Sequence, residues 1–341
     1  MADSPFLLAC RGLPAPRPPV WFMRQAGRSL PEYRATKGTA NILAAVARPD
    51  LAAELTLQPV RRYGVDAAIL YSDIVVPVHA AGFGVEIVAG VGPVVERPFR
   101  TAADLDRLPP FDADAQAPYV AETVRLLVKE LGPVPLIGLA GGPFTVASYL
   151  VEGGPSRSYE HMRRLMWAEP ELFAALLDRL ADYGLASLRA QVSAGAAAVQ
   201  VFDSWAGALA TEDYEAHVLP SLRRMLAGLA DLGIPRIVSG VGTAELLGLF
   251  VDAGADVVSV DATITLTEAR RRTGGRVALQ GNLDPWVVAL APWPVVDQRA
   301  RAVLASNGGH PAHVFNLGHG VRPETDPDVL ARIVDLVHDG R

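Results

Sequence analysis

The stretch PLIGLAGGPFTVASYL, residues 135–150, contains the unit that decides the fold. It opens with a continuous apolar run of strand length, continues through two glycines, and ends in a segment of helix length. A strand of a parallel sheet reads as such an uninterrupted apolar run, because helices cover both faces of the sheet. The stretch therefore predicts a buried β-strand that leads through a short loop into an α-helix.

The same alternation of apolar run and helix-length segment recurs along the chain. The other runs are PVWFM from Pro19, DAAIL from Asp66, AAVQVF from Ala197, RIVSG from Arg236, DVVSV from Asp256, VALQGNL from Val277 and HVFNLG from His313. Eight such strands predict an α/β fold, a single (β/α)8 TIM barrel wrapped in helices. A doubly wound sheet is the alternative, but its nucleotide-binding form lacks support, because no GxGxxG follows the first strand and no phosphate-loop motif occurs.

Two segments interrupt this alternation. GVEIVAGVGPVVERPF, from Gly84, alternates around a Gly-Pro turn and predicts a β-hairpin, whereas APWPVV, from Ala291, is rich in proline. Both are expected to lie outside the barrel. Because no linker or low-complexity tract divides the sequence, residues 1–341 are predicted to form one domain.

Composition limits the partners and the compartment. The 341 residues carry a net charge of -6, which disfavours nucleic acid or an anionic membrane as a bulk electrostatic partner. Cys10 is the only cysteine, so no intrachain disulfide and no multi-cysteine metal site can form. No signal-peptide pattern and no uncharged apolar run of about eighteen residues is found. These features predict a cytoplasmic protein without a membrane span.

Polar and glycine-rich segments follow the predicted strands. In a TIM barrel the active site is built from the loops at the carboxyl ends of the strands. The residues that occupy these positions are RQAGR at 24–28, Asp73, Tyr149, Ser204, Gly240, Asp261, Asn282, Asp284 and His319. The active site is therefore predicted at this rim.

The first of these loops carries local positive charge in an acidic protein. From Arg24 to Lys37 the chain has four basic residues, including Arg28 and Arg34, against one acid, Glu32. Guanidinium groups bind carboxylates bidentately, so the predicted ligand is polyanionic. The alternative is that these side chains are solvated or paired with surface acids.

A helix is predicted to begin beside the same loop. Ser29 and Glu32 have the spacing of a capping box, and Pro31 falls in the first turn. Arg24 and Arg28 then precede a helix N-terminus, which also favours anions.

Four further candidates each have a structural alternative. Asp73 ends an apolar run, where a carboxylate is costly unless a cation or donor groups meet it, but an aspartate there is also a common helix cap. His319 lies between two glycines and could donate to a ligand, or its ring could be satisfied by backbone. Tyr149 and Ser204 are weak signals alone, because tyrosine often packs with its hydroxyl at a surface and serine often caps a helix.

Six segments resemble the uroporphyrinogen decarboxylase family in order and spacing, from about Pro19 to Pro323. They are PVWFMRQAGRSLPEYR, LTLQPVRRYGVDAAILYSDI, GGPFTVASYLVEGG, VFDSWAG, QGNLDP and FNLGHGV. The combination of MRQAGR with NLGHG is highly specific.

The resemblance implies a barrel enzyme, usually a homodimer with its two clefts facing each other, that needs no cofactor and no metal. Its reaction converts the four acetate side chains of uroporphyrinogen III to methyls, which gives coproporphyrinogen III in haem and chlorophyll biosynthesis. It also implies roles at matching positions: the carboxylate-binding residues Arg24 and Arg28, the loop-shaping residues Gln25, Ala26 and Gly27, the central Asp73 beneath the macrocycle, and the substrate contacts Tyr149, Ser204 and His319.

Two positions depart from the family pattern. Ser29 stands where many relatives have an aromatic residue, and Lys37 stands where some have a third arginine. A lysine still offers charge to the substrate but not a bidentate fork, so one carboxylate contact is expected to be looser.

The chemistry explains why no cofactor is needed. Loss of CO₂ from an arylacetate leaves a carbanion, and a pyrrole protonated on a ring carbon becomes iminium-like and accepts those electrons. We hypothesise that an ionised Asp73, hydrogen-bonded to the pyrrole N–H groups, favours this cationic intermediate over the neutral ground state. Arg24 and Arg28 are further catalytic candidates, because either could deliver protons through water. The proton donor is left open, since arginine is a poor acid at neutral pH.

Two other functions are considered. Cobalamin-linked methyltransferases of the same superfamily bind zinc through histidine and cysteine near the barrel mouth, whereas Cys10 here is alone and N-terminal. A non-catalytic tetrapyrrole-binding protein could keep the arginines, but it would tolerate loss of Asp73.

Overall fold

A parallel sheet forms the centre of the molecule in the computed structural model, which describes residues 4–339. In chain order the strands are β1 (Ala68–Ile69), β2 (Val85–Val88), β3 (Gly92–Val95), β4 (Leu136–Gly141), β5 (Ala198–Phe202), β6 (Arg236–Ser239), β7 (Val257–Ser259), β8 (Ala278–Gln280) and β9 (His313–Val314). All except β2 and β3 join one seven-stranded parallel sheet in the order β1-β4-β5-β6-β7-β8-β9. Because spatial order follows chain order, each connection crosses over the sheet to the next strand.

Seven of the predicted runs therefore contain a strand, but the run from Pro19 does not. It makes only an isolated parallel bridge between Val20 and Phe315, beyond β9. The Phe315 N–H donates to the Pro19 carbonyl at 2.8 Å, and the Asp66 N–H donates to the Val20 carbonyl at 2.8 Å. Proline offers no N–H to a ladder, and the backbone turns left-handed at Arg24, so pairing stops early. The short segment still bonds to residues beside both edge strands, β9 and β1.

Buried polar side chains show how strongly the sheet curls. The indole of Trp21 donates to Gln280 of β8 at 2.9 Å, and the Gln280 amide donates to Gln200 of β5 at 3.1 Å. In a flat sheet these two strands would lie about 14 Å apart, at three times the usual strand spacing. Their side chains meet because the sheet bends around a common interior.

Helices surround the sheet. They are α1 (Pro5–Cys10), α2 (Pro31–Lys37), α3 (Ile42–Val46), α4 (Pro49–Tyr63), α5 (Val76–Ala80), α6 (Ala113–Gln116), α7 (Pro118–Leu131), α8 (Pro143–Glu152), α9 (Glu160–Ala168), α10 (Pro170–Ser193), α11 (Thr211–His217), α12 (Leu219–Ala227), α13 (Leu247–Asp252), α14 (Leu266–Arg272), α15 (Pro285–Leu290), α16 (Trp293–Ser306) and α17 (Pro327–Asp339). Many begin with proline, whose missing N–H costs nothing in the first turn. Among the helices of residues 4–339, none is long and apolar enough to cross a membrane.

The two interrupting segments have different outcomes. The hairpin is confirmed, because β2 and β3 pair antiparallel with Val85 opposite Val95. The expectation that APWPVV lies outside the barrel is wrong, because Pro292 caps α16, which packs against α14 and α17 in the outer helix layer. Proline is common both in turns and at helix starts, so its presence alone did not distinguish them.

Candidate active site

Arg24 is fixed between the first loop and the loop after β9. Its backbone is left-handed, with φ 61°, and its side chain crosses Gly320 so closely that a Cβ there would lie 2.4 Å from Arg24 Cδ. A Cβ on Gly27 would likewise lie 2.9 Å from the Arg24 carbonyl oxygen. The two glycines therefore permit the path that the arginine takes across the rim.

Neither arginine of the RQAGR segment is neutralised by the protein. Arg24 and Arg28 are exposed, and within the described residues neither guanidinium makes a hydrogen bond or a salt bridge. Gln25 between them is fully buried, where its amide accepts from the Phe22 N–H at 3.1 Å and donates to the Ala67 carbonyl at 3.2 Å. The glutamine thus fixes the loop, while the arginines remain available to an anionic ligand. Ala26 and Gly27, the next residues of the loop, are half-buried.

The predicted capping box is wrong. Helix α2 has Leu30 as its N-cap and no side-chain cap, because the Ser29 side chain is buried and does not bond to the first turn of the helix. Glu32 instead lies 3.5 Å from Arg62 Nη1. Arg34 of α2 supports the loop from outside by donating to the Arg28 carbonyl at 2.5 Å.

Lys37 is not brought to the other predicted residues. Its ammonium group donates to the carbonyl of Ala40, just beyond the end of α2. Within the part of the chain that the structure describes, no contact joins it to Arg24, Arg28 or Asp73.

Asp73 lies in the loop between β1 and α5. Its Oδ1 accepts from the Val75 N–H at 3.1 Å, two residues ahead in the chain, in an Asx-type turn. Because Val75 is the N-cap of α5 and no side chain caps this helix, the helix-cap alternative is wrong. Burial raises the pKa of Asp73, while the Val75 N–H and the charge of Arg24 act in the opposite direction. No salt bridge within residues 4–339 neutralises this carboxylate. The side chain can therefore meet a ligand that carries donors or positive charge.

Tyr149 reaches the same region from α8. Its ring packs edge-on against Trp205, with the ring centres 6.2 Å apart. Burial raises the pKa of the Tyr149 hydroxyl and the charge of Asp73 raises it further, against the Trp205 indole and Arg24. The hydroxyl is therefore protonated at neutral pH and can donate a hydrogen bond.

A buried carboxylate that the sequence analysis did not single out, Asp203, fixes the loop after β5. It is fully buried and accepts from the Thr145 N–H at 3.1 Å, the Thr145 hydroxyl at 2.7 Å and the Tyr214 hydroxyl at 3.0 Å. The Thr145 hydroxyl also accepts from the Trp205 N–H at 3.0 Å. This network holds Trp205 against Tyr149. Half-buried Ser204 makes no side-chain hydrogen bond in the described chain.

His319 is a neutral donor at this rim. Its Nδ1 accepts from the Gly320 N–H at 2.6 Å, so the proton of the neutral ring sits on Nε2. Burial together with the charges of Arg24 and Arg322 lowers its pKa to about 4, against the opposing effect of Asp261. The ring is therefore uncharged at pH 7.

The other predicted rim residues have structural tasks. Asp261 accepts from the Gly242 N–H at 2.7 Å and the Thr263 N–H at 2.8 Å, which fixes the loops after β6 and β7. The Asn282 amide donates to the Asp261 carbonyl at 2.8 Å, and Asp284 caps α15. Their polar groups are used within the protein.

One set of predicted residues therefore comes together. The charge of Arg24 acts on Asp73, Tyr149 and His319, so these four side chains lie within electrostatic reach of one another at the rim, and we call them the rim cluster. Cys10 lies elsewhere, buried in α1 and within electrostatic reach of Asp256 at the start of β7. The rim cluster thus combines positive charge, one carboxylate and two neutral donors.

Comparisons with known proteins agree in one family. A family model described as "Uroporphyrinogen decarboxylase (URO-D)" matches residues 1–340. A uroporphyrinogen decarboxylase from Salinispora tropica is 58% identical over 99% of this chain and 91% of its own length, and one from Thermobifida fusca is 57% identical over 99% and 93%.

Solved structures support the fold. A methyltransferase from Methanosarcina mazei superposes with a TM-score of 0.81 at 21% identity, over 99% of this chain and 98% of the other. A B12-independent methionine synthase from Shewanella sp. W3-18-1 gives a TM-score of 0.56 at 12% identity, over 86% and 88%. At these identities the likeness concerns the fold alone.

Proposed function

The chain belongs to the uroporphyrinogen decarboxylase family, and from this premise we propose how its residues carry out the reaction. The protein is a carboxy-lyase of tetrapyrrole biosynthesis. Its substrate is uroporphyrinogen III, whose four acetate side chains become methyls to give coproporphyrinogen III and CO₂. The observation that carries the assignment of the site is that Asp73 lies within electrostatic reach of Arg24 and that neither side chain has a salt-bridge partner within residues 4–339.

Substrate binding relies on Arg24 and Arg28. Uroporphyrinogen carries eight carboxylates around its ring, and among the described residues the two guanidinium groups meet no acid that would compete for them. Gln25, Ala26 and Gly27 act through the loop, since the Gln25 amide is already used in shaping it. A contact with Lys37 would require its ammonium group to leave the Ala40 carbonyl.

Each decarboxylation is balanced by one proton. A proton adds to the ring α-carbon next to the carbon that bears the acetate, so that the acetate-bearing carbon becomes conjugated with the iminium-like nitrogen. The bond between the side-chain methylene and its carboxylate then breaks. The released electron pair neutralises the iminium-like ring as CO₂ leaves. A second proton adds to the exocyclic methylene to form the methyl group, and the first proton returns to solvent.

Asp73 is the catalytic residue in this scheme. Its ionised carboxylate accepts hydrogen bonds from the pyrrole N–H groups and stabilises the positive charge that develops on protonation. Arg24 favours the ionised form against the effect of burial. The interaction is stronger in the cationic intermediate than in the neutral substrate, which is the condition for catalysis.

Neutral donors complete the site. Tyr149, held by Trp205, and the Nε2–H of His319 bind substrate oxygen atoms without adding charge that would oppose protonation of the ring. The Ser204 hydroxyl, free of internal hydrogen bonds in residues 4–339, is a further substrate contact.

We further infer that the sheet closes into an eight-stranded TIM barrel within one domain. Closure is supported by the hydrogen bonds that the segment at Val20 makes beside β9 and beside β1, and by the contact between Gln200 and Gln280 across the interior. In a closed barrel the first segment occupies the position of the eighth strand.

We also propose a cytoplasmic homodimer whose clefts face each other. Beside the site, on α15, Trp286 is 47% exposed and Leu290 is 69% exposed, and such side chains favour burial in an interface. The chain has a single cysteine, which suits a reducing compartment.

The test is to incubate metal-stripped protein anaerobically with uroporphyrinogen III and count the carboxylates of the products by chromatography and mass. Wild type is compared with Asp73→Ala and with Asp182→Ala, which removes a half-exposed carboxylate paired with Arg224 far from the site. Coproporphyrinogen from wild type and the control, but not from Asp73→Ala, supports the proposal. Binding of substrate without release of CO₂ would instead identify a carrier.

A further inference from the structure

Arg322 lies beside the proposed site and has no role assigned above. It follows His319 by three residues, and its guanidinium carbon lies 3.9 Å above the centre of the Trp286 ring. Trp286 belongs to α15, which follows β8. The stack therefore joins the last two loops of the rim and holds a cation there.

The charge of Arg322 is only weakly compensated. Its side chain is 35% exposed, and the nearest carboxylate, that of Glu324, lies 3.7 Å from Nε and is itself 53% exposed. Such a surface pair contributes little. Nε is buried without a hydrogen-bond partner in the described residues. Stacking uses the face of the guanidinium, whereas its N–H groups lie in the plane and can still bind an anion.

Arg322 also acts on the rim cluster, through His319. Its charge, together with that of Arg24, lowers the pKa of His319, so the two arginines approach this histidine from different loops. Arg24 reaches it across Gly320, and Arg322 reaches it from the side of α15.

We propose that Arg322, presented on Trp286, is a further carboxylate-binding residue that holds one peripheral carboxylate of the tetrapyrrole at the rim between β8 and β9. The assignment rests on the proposed function, which supplies a polycarboxylate large enough to reach several loops. Trp286 is the positioning residue, because it fixes the guanidinium plane before substrate binds and so reduces the entropy lost on binding.

The chain offers a matched control. Arg332 of α17 lies 3.8 Å above the ring centre of Trp293, the first residue of α16, in the same kind of stack. That pair sits in the outer helix layer, where the charge of Arg332 acts on Asp297. Loss of an arginine–tryptophan stack can thus be separated from loss of charge at the rim cluster.

The experiment compares Arg322→Leu, Arg322→Lys and Arg332→Leu for kcat and KM with uroporphyrinogen III at two salt concentrations. Loss of one charge-assisted hydrogen bond predicts a roughly 10-fold rise in KM for Arg322→Leu with kcat within about 2-fold of wild type. Lysine restores part of the affinity. KM of Arg322→Leu also responds less to added salt, a change that a purely structural role would not produce. Arg332→Leu matches wild type.

Equilibrium binding of uroporphyrin III, followed by fluorescence, separates this inference from the proposed function. If wild type does not turn over, the proposed function fails, and a weaker affinity of Arg322→Leu for the porphyrin still supports the site. An affinity and KM of Arg322→Leu equal to those of wild type overturn the inference, even when turnover is normal. Assays on partly decarboxylated substrates identify which carboxylate Arg322 binds. If Arg322→Leu raises KM equally for every substrate, the bound group is a propionate. If the rise in KM disappears after one acetate has been decarboxylated, the bound group is that acetate.

Discussion

Two aspartates flank β1, and the fold pairs one of them with other side chains but not the other. Asp66, before the strand, is buried and accepts from Arg17 Nη2 at 2.8 Å and from the Val20 N–H at 2.8 Å, with His338 Nε2 at 2.7 Å. Asp73, after the strand, has its one geometrically good hydrogen bond within residues 4–339 from a neighbouring backbone N–H. One carboxylate is satisfied by the fold, and the other is left for a ligand.

The arginines show the same contrast. Arg17 is paired with Asp66 at the amino ends of the strands, whereas Arg24 and Arg28 at the carboxyl ends meet no acid in the described chain. In barrel enzymes the amino-terminal face serves stability and the carboxyl-terminal face serves chemistry. Unpaired charge therefore identifies the functional end more clearly than charge alone.

The largest effect is expected from Asp73→Asn. Loss of the charge that stabilises the cationic intermediate predicts a fall in kcat of about 10³-fold, by analogy with removal of a preorganised group at a developing charge. The free energy of unfolding, measured in urea, should stay the same or rise, because burial of the ionised side chain no longer opposes folding. A less stable variant with normal kcat would make Asp73 a structural residue like Asp66.

Asp66→Asn tests the other end of the strand. Breaking a buried, charge-assisted network predicts a loss of about 3 kcal/mol in the free energy of unfolding, because Arg17 and His338 lose the negative charge they share and one carboxylate oxygen becomes an NH₂ donor. The kcat of the protein that remains folded should match wild type. A large fall in kcat at an unchanged urea midpoint of unfolding would show that Asp66 acts in the reaction, as Asp73 is proposed to do, and would contradict the contrast between the two aspartates.

Gly320→Ala should act on substrate binding alone. The new Cβ would lie 2.4 Å from Arg24 Cδ, and the flexible arginine must move aside. We expect KM to rise roughly 5-fold, because the displaced arginine loses part of the free energy of one charge-assisted hydrogen bond to the substrate. The kcat should change little. Gly308→Ala, where nothing lies within 4 Å but the backbone has a φ of 64°, is expected to lower stability without moving Arg24, and so tests whether lost stability alone raises KM.

The smallest effect concerns pH. The pKa of His319 is lowered to about 4 in the folded protein, whereas an unfolded histidine titrates near 6.5. Between these values the unfolded chain binds more protons, so the contribution of His319 is fully present above about pH 6.5 and is lost as pH falls toward 4. His319→Gln should therefore lose less stability than wild type between pH 7 and 5 in urea titrations. If both proteins lose the same amount of stability, the pKa of His319 is not lowered in the folded protein.

The strands were predictable because their pattern is local. Leu136–Gly141 is buried along its whole length, and this burial is visible as an apolar run. The run from Pro19 was wrongly predicted to form a strand, because prolines and the turn at Arg24 limit its backbone pairing to one bridge. The capping box failed because the spacing of Ser29 and Glu32 does not reveal that the serine side chain faces the interior.

The site was predictable where rim position and residue type agree, as for Arg24, Asp73 and His319, although their roles in catalysis stay predictions. Asp203 was not singled out because its partners are distant: Thr145 lies 58 positions earlier, and Tyr214 belongs to a later helix. The stack of Arg322 on Trp286 likewise joins segments that no local pattern connects. Long-range pairing of polar groups is the information that one sequence does not contain.

The most direct test of the contrast separates binding from chemistry in Asp73→Asn. Affinity for uroporphyrin III is measured at equilibrium, and release of CO₂ from uroporphyrinogen III is measured in a single turnover with enzyme in excess. The account predicts an affinity within a few-fold of wild type and a rate of CO₂ release lower by about 10³-fold. Release of CO₂ at the wild-type rate, or a loss of rate fully matched by a loss of affinity, would contradict it.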